Sequence, residues 1–317
     1  MKNRCVGLLL LSLLSFVAYA QFDVQPAHYM FFQSSYNPAA AGAEGLFKVA
    51  GLHRMQYAGM PKMPQTTLFH VESPFPIKKT QHGAAIHFMN ESIGLLNNKT
   101  VDFQYAYRHK LGKGYLSAGI GLGFVSLGFQ GDSVITEIES DYHDITGDTH
   151  IPTTEEEAMN FDMGLGVYYN AEDWYAGVSF KHLNYPVIRW TDYSIFTVRG
   201  TMYMVGGYDW KLKNNKFRVK PSALIQTDFS SWSVALTGIV EYNQRFRGGL
   251  TWRLQDAVGI LLGMDIISGL TCGYTYELPT TRLLSYGVWG SHEIFLSYSF
   301  DILRQKKTSK YKSIRIL

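Results

Sequence analysis

The chain has 317 residues, of which 46% are hydrophobic, 15% aromatic and 17% charged, and its mean hydropathy of -0.08 is nearly neutral. Charged residues fall below the usual quarter while Tyr (21), Phe (19) and Gly (30) abound, which excludes disorder and a helical bundle rich in Ala, Glu, Lys and Leu. A net charge of +3, with no basic run interleaved with aromatics before the last few residues, excludes nucleic acid as a partner.

At the N-terminus, Lys2 and Arg4 precede an apolar stretch from Val6 to Val17, and Ala18-Tyr19-Ala20 places small residues where a signal peptidase reads before Gln21. Residues 1–20 are therefore expected to be a Sec-type export signal cleaved near Ala20-Gln21. A membrane-spanning helix needs about 20 apolar residues, more than Val6 to Ala20 supplies. Cleavage removes Cys5 and leaves Cys272 alone, so no internal disulfide is expected. Cys5 precedes the apolar core, which argues against a lipoprotein anchor. Residues 21–44 then form a long lead-in before the first strand, expected to fold into a lumen or dock beneath it.

From there the pattern has period 2, which puts successive side chains on opposite faces of a sheet. Val101, Phe103, Tyr105 and Tyr107 alternate with Asp102, Gln104 and Arg108; Trp174, Ala176, Val178 and Phe180 with Tyr175, Gly177, Ser179 and Lys181. Phe217, Val219 and Ala223 alternate with Arg218, Lys220 and Ser222; Trp232, Val234, Leu236, Val240 and Tyr242 with Ser231, Ser233, Ala235, Thr237 and Glu241. Near the end Ile294, Leu296, Tyr298 and Phe300 alternate with Glu293, Phe295, Ser297 and Ser299. Strands are expected at 45–57, 64–72, 81–90, 98–109, 113–128, 160–170, 173–181, 199–211, 216–227, 231–241, 245–254, 257–265, 269–277 and 290–300. Most are about 9–13 residues, the length at which a tilted strand crosses a bilayer and longer than the roughly 5–6 residues of a soluble sandwich. The longest later apolar run, Ala257 to Met264, ends at Asp265, too short for a helical span. The expected fold is all-β: a transmembrane antiparallel up-and-down β-barrel of about 14 strands over residues 45–300.

The connections agree with that architecture. The three longest, 129–159, 182–198 and 278–289, all follow odd strands and are expected outside the cell. Leu111-Gly112, Ala171-Glu172 and Asn243-Gln244 are tight periplasmic turns, and 73–80, with Pro74 and Pro76, is expected to be a longer one. Residues 301–317 form a basic periplasmic tail carrying Arg304, Lys306, Lys307, Lys310, Lys312 and Arg315 and no acidic residue after Asp301. The tail reads either as a solvated end near anionic headgroups or as a docking arm for an acidic periplasmic partner.

Few residues suggest chemistry. Gly119, Gly121 and Gly123 resemble part of a dinucleotide motif but lie within a strand with no following helix, so they read as small lumen-facing residues leaving room for a plug or channel. The 129–159 connection carries nine acidic residues and no Lys or Arg. Within it Asp141, His143, Asp144, Asp148 and His150 have no calcium-loop spacing, and His143 with Asp144 or Asp148 has nothing to fix it as a hydrolytic pair. No G-x-S-x-G, H-E-x-x-H or C-x-x-C occurs. Neither a catalytic site, a cofactor nor a metal is expected.

Particular residues add a resemblance. Tyr29-Met30, Tyr36-Asn37-Pro38-Ala39 and Ala41-Gly42, followed by Arg54 and Gln56, resemble the N-terminal pattern of the PorP/SprF family of Bacteroidetes outer-membrane proteins. So do Phe161 to Tyr169 leading into Tyr175 to Ser179, and Gly290-Ser291-His292-Glu293-Ile294 entering the last strand. Tyr57 departs from the pattern, where Trp is expected after Arg-x-Gln. The resemblance implies a noncatalytic component of the type IX secretion system, which delivers cargo bearing a C-terminal domain across the outer membrane and in some relatives supports gliding motility. The implied partners are outer-membrane lipid, periplasmic and outer-membrane secretion components and that cargo. The competing reading is a diffusion porin or small-solute channel, with Asp102, Arg108, Asp162, Arg218, Lys220 and Glu241 lining an aqueous pore.

Overall fold

In the computed structural model the described residues are 23–133, 152, 154–213, 216–283 and 287–302. The export signal, the five candidate cation ligands from Asp141 to His150, and tail residues Arg304, Lys306, Lys307, Lys310, Lys312 and Arg315 lie outside them.

Fourteen antiparallel strands close into one barrel. They are β1 Phe47–Met55, β2 Gln65–Ile77, β3 Thr80–Ile93, β4 Leu96–Leu111, β5 Gly114–Gln130, β6 Glu155–Asn170 and β7 Trp174–Lys181. Next come β8 Thr201–Tyr208, resumed after Asp209 by Trp210–Lys211, then β9 Phe217–Thr227, β10 Trp232–Tyr242 and β11 Phe246–Arg253. The last three are β12 Ala257–Ile267, β13 Leu270–Pro279 and β14 Ser291–Phe300. Each strand pairs with its sequence neighbours, and β1 meets β14 from Phe47 opposite Phe300 to Met55 opposite His292, so no edge is left open. No helix among the described residues is long and apolar enough to span a membrane.

Alternation sorts the faces as the sequence pattern predicts. On β10, Trp232, Leu236, Val240 and Tyr242 are 42–55% exposed, whereas Ala235, Thr237, Ile239 and Glu241 are buried. Exposed aromatics form belts at both ends of the outer wall, with Trp232 and Trp252 towards one and Trp174, Trp210 and Phe246 towards the other. The chain reversals 78–79, 112–113, 171–173, 243–245 and 268–269 share one end, the turn end; the connections 131–154, 182–200 and 280–290 share the other, the loop end.

Three expectations change. Residues 73–80 are not a long turn: β2 continues to Ile77, and Ile77 opposite Thr80 closes a two-residue turn. In such a hairpin the odd residues of β2 bond to β3, so Pro74 and Pro76 direct their missing N–H groups to the side where β1 pairing has ended at Glu72. Second, β6 begins at Glu155 instead of 160, moving Glu155, Glu156 and Glu157 from the loop onto the strand, where Glu157 accepts from Lys99 (2.9 Å) and Ser126 (2.7 Å). Third, the 182–198 connection carries a small hairpin, Val187–Arg189 with Ile195–Thr197. Its Ile188 packs on inward-facing Val125 and Leu127, and the Trp190 indole donates to the Leu127 carbonyl at 2.7 Å, so the connection folds over the barrel mouth.

The lumen is filled from within. Residues 23–45 descend from the loop end to the turn end through three short 3₁₀ turns, Tyr29–Phe31, Gln33–Ser35 and Pro38–Ala40. We call this stretch the plug. Pro38 suits the first helical position, and the Asn37 side chain accepts from the Ala39 N–H at 3.0 Å, so the Asn-Pro pair starts the last turn in defined register. The wall thins to receive it. A Cβ on Gly119 would stand 2.4 Å from the Ala39 nitrogen, and one on Gly166 2.1 Å from the Asn37 Oδ1. Of the three strand glycines singled out above, only Gly119 meets the plug, since Gly121 and Gly123 face Asp102 and the Val101 carbonyl on the neighbouring strand.

Replacing Gly119 with Val is expected to force the plug off the wall, with an overpacking cost of roughly 1–3 kcal/mol. The temperature at which the barrel loses its compact gel mobility should fall, and protease should cut within residues 23–43 of the otherwise folded protein. Unchanged protection would show that the close approach at Gly119 does not hold the plug.

Candidate functional site

Three polar clusters fasten the plug, each built on inward-facing charges of the wall that the plug helps to satisfy. The first lies on the closing seam. Arg54 of β1 and Glu293 of β14 are direct cross-strand partners, and Arg54 Nη1 donates to Glu293 Oε2 at 3.1 Å. Arg54 also donates to Glu277 of β13, whose other oxygen accepts from Arg253 Nη2 of β11 at 3.1 Å. Arg253 reaches Asp256 (2.8 Å), which accepts from the Tyr57 hydroxyl (2.9 Å). The plug enters this network through Glu293, whose carboxylate accepts the Ala27 N–H (2.8 Å) and the His28 N–H (2.9 Å), with His28 Nδ1 2.8 Å away.

The second cluster sits nearer the turn end. Lys48 donates to the Phe31 carbonyl (2.8 Å) and Glu44 (2.6 Å), and lies 3.8 Å from Glu72. Arg108 donates to the carbonyls of Gly42 (2.6 Å) and Ala43 (3.0 Å). Gly42, at φ +64, takes a left-handed conformation that aims its carbonyl at Arg108. The third cluster is at the loop end, where Asp23 accepts from the Tyr203 hydroxyl (2.6 Å) and faces His182 Nε2 (3.0 Å) and Lys181 (3.6 Å). Across the ring, His182 Nδ1 lies 2.9 Å from Asp162. Burial alone would raise the Asp23 carboxyl, but His182, Lys181 and the Tyr203 hydroxyl hold it well below the usual carboxylate range. Burial would likewise lower His182, and the two carboxylates overcome it, raising the ring to about 9.

Between the clusters the contact is apolar and aromatic. Tyr29, Tyr36, Tyr168, Tyr203, Val205 and Leu224 form one buried group, with Tyr36 stacked on Tyr203 at 5.6 Å. Phe32 joins Leu52, Leu68 and Phe295 in another. Side-chain hydrogen bonds fix the register: Gln104 to the Ser34 carbonyl (2.8 Å), Ser179 to the Tyr36 carbonyl (2.6 Å) and Asn37 to the Val167 carbonyl (3.2 Å).

The residues of the sequence motifs mostly converge here. Tyr36, Asn37, Pro38 and Gly42 belong to the plug, and Arg54 and Glu293 to the seam. Ser291 accepts the Tyr57 N–H (3.1 Å), the Gly290 carbonyl accepts the Ala58 N–H (2.7 Å), and the Gln56 N–H reaches the Pro64 carbonyl (2.8 Å), so these three shape the loop-end rim beside the seam. His292 does not join them: it faces outward, bonded to the Tyr274 hydroxyl at 2.7 Å. Sequence reasoning missed Asp23, His28, Lys48, Glu72, Arg253 and Glu277. The readable signal was a charged residue on the inward parity of a strand, which singled out Arg108, Asp162 and Glu241 but not what they would meet.

The residues assigned to a pore lining are engaged as well. Arg108 holds the plug, Asp162 faces His182, and Asp102 accepts from Gln104 (2.6 Å). Arg218 and Lys220 pair with Asp209 and Glu241. Lys220 lines a cavity of about 870 Å³ below the plug at the turn end, with Phe31, Lys48, Arg247, Asp265 and Asp301. No group of three or more His, Cys, Asp or Glu among the described residues is arranged to hold a metal.

Arg54→Ala is expected to cost about 3–5 kcal/mol, because it leaves Glu293 and Glu277 buried beside one fewer cation; the urea midpoint of the detergent-solubilised barrel reads this. The Asp23–His182 contact should depend on pH at both limits. The His182 contribution is complete below its ordinary value of 6.5 and is lost as pH rises through about 9. That of Asp23 is complete above its ordinary value of 3.8 and is lost on acidification below it. Amide exchange around Asp23 to Gln25 should therefore accelerate on the alkaline side, and His182→Gln should flatten that limb.

Comparison with known proteins places the chain. Solved structures similar to it include the outer membrane protein Omp33 of Acinetobacter baumannii (8% identity, 82% of this chain and 99% of that one, TM-score 0.47). The Pseudomonas putida toluene transporter TodX is another (9% identity, 88% and 95%, TM-score 0.47), as is the KdgM porin (8% identity, 80% and 99%, TM-score 0.38). No curated protein matches the chain. The family model described as the type IX secretion system membrane protein PorP/SprF matches residues 18–298, and the chain belongs to that family, as an outer-membrane β-barrel component of type IX secretion.

Proposed function

We propose that the protein is a noncatalytic, plugged barrel that serves type IX secretion as an outer-membrane anchor and cargo-receiving surface rather than as a diffusion channel. After export and cleavage near Ala20-Gln21, the turn end and the basic tail face the periplasm and hold secretion or motor components. The loop end faces outward and receives cargo bearing the C-terminal domain. The observation that carries this reading is the plug: Glu293, Lys48, Arg108 and Asp23 bind the chain's own backbone and side chains across the lumen, where a porin would present charges to water. With the interior committed, the two ends are the surfaces left for partners.

A deletion strain should lose its cargo from the surface and the medium while its permeability to small solutes stays unchanged. Purified barrel in planar bilayers should show no steady open conductance. A stable conductance together with normal secretion in the deletion strain would instead establish the diffusion porin. For the tail, removing residues 301–317 is expected to reduce co-purification with periplasmic secretion components, and unchanged association would remove the tail from the mechanism.

A further inference from the structure

The plug's first described residue, Asp23, lies at the loop end, although β1 rises from the turn end. Whatever precedes Asp23 is thus delivered to the mouth of the barrel. Beside Asp23 is a cavity of about 260 Å³. One wall is apolar, contributed by Ile93 and Leu96 of the β3–β4 hairpin, Val125 and Leu127 of β5, and Phe196 and Val198 of the folded connection; His182, engaged with Asp23, Arg199, engaged with Asp228, and Thr201 complete the lining. Into the cavity faces Glu91, only 9% exposed. Its carboxyl group has the Asn98 amide beside it but, among the described residues, no Lys, Arg or His as an ion-pair partner. Asp23 cannot share its own partners, since Lys181, His182 and Tyr203 already occupy its carboxylate.

A chamber with an apolar wall, whose cations are engaged by Asp23 and Asp228 while the buried Glu91 carboxyl has no ion-pair partner, suits a primary ammonium joined to an aromatic side chain. We propose that this chamber is the seat of the processed N-terminus: Phe22 fills the apolar wall and the α-ammonium of Gln21 donates to Glu91. The proposal rests on cleavage after Ala20. Two residues reach at most about 7 Å from Asp23, which itself lines the chamber, so the occupant is tethered at its door. An uncleaved chain has a peptide bond where the ammonium would be and a leader that must leave through the mouth. The seat therefore accepts only processed protein, and it couples signal removal to docking of the plug.

The test uses the full chain, purified from the outer membrane. Its intact mass first shows whether it begins at Gln21. A different start overturns the cleavage reading, and a mass lower by one ammonia, the lactam of a cyclised Gln21, overturns the ammonium contact alone. Acylation near pH 7 then favours the α-amine, whose pKa lies about two units or more below that of Lys. The native N-terminus should react at least about tenfold more slowly than in the urea-unfolded chain, as expected for a buried charge-assisted hydrogen bond. Glu91→Gln and Phe22→Ala should each restore the fast rate while the barrel keeps its compact gel mobility. Phe22→Ala alters no strand and carries the test if Glu91→Gln does not insert. Reaction of the native chain at the unfolded rate, or protection unchanged in these variants, would refute the seat.

Discussion

The carboxylate of Glu293 is where the barrel's closure and the plug's attachment become one interaction. Lipid offers a backbone no hydrogen bonds, so β1 must find β14, and that pairing brings Arg54 opposite Glu293. Glu293 Oε2 accepts from both Arg54 and the Ala27 amide, and Oε1 from the His28 amide. Taking two such charges out of water is costly unless the remaining lone pairs and protons are satisfied. The plug amides and the Glu277 and Arg253 chain satisfy them. Neither the seam nor the plug is complete without the other.

The same dependence runs the length of the plug. The hydrogen-bond and ion-pair partners of the plug come from strands far apart in sequence: the acceptor Glu293 from the last strand, Asp23's partners from the end of β7 and from β8, and the donors Lys48 and Arg108 from β1 and β4. They converge only in the closed cylinder. The plug is bound by long-range contacts whose loop-closure entropy must be met before they stabilise anything, so its attachment depends on the closed wall. A barrel closed in this way has the centre of its lumen filled by its own chain.

The wall was legible in the sequence and the plug was not, for a physical reason. Strand periodicity is local: Trp232, Leu236 and Val240 announce a lipid face, and Ala235, Thr237 and Glu241 an inner one, within a dozen residues. That β1 pairs with β14 follows from strand order and closure. The plug has no period, and its identity lies in contacts such as Ala27 to Glu293 or Tyr36 to Ser179, more than a hundred positions apart. Where local signals misled, pairing geometry decided: Pro74 and Pro76 read as turn formers, yet both sit at non-bonding positions of an unpaired flank. Glu155 to Glu157 read as loop because they are acidic, yet they stand at the loop end of β6, where Glu157 accepts from Lys99 and Ser126.

The nearly neutral mean hydropathy follows from the same arrangement. A barrel wall spends every second side chain on lipid, and a plugged barrel spends most of the others on pairing with its own chain. Around the plug its interior is therefore polar yet closely packed, which is why it can hold Lys48, Arg54, Glu72, Arg108, Glu277 and Glu293 at 6% exposure or less. An open channel needs charges that stay hydrated and mobile at its constriction, whereas each of these is tied to a fixed partner at hydrogen-bond or ion-pair distance. Around the plug the lumen is built as a protein core whose contacts are ionic and hydrogen-bonded as well as apolar.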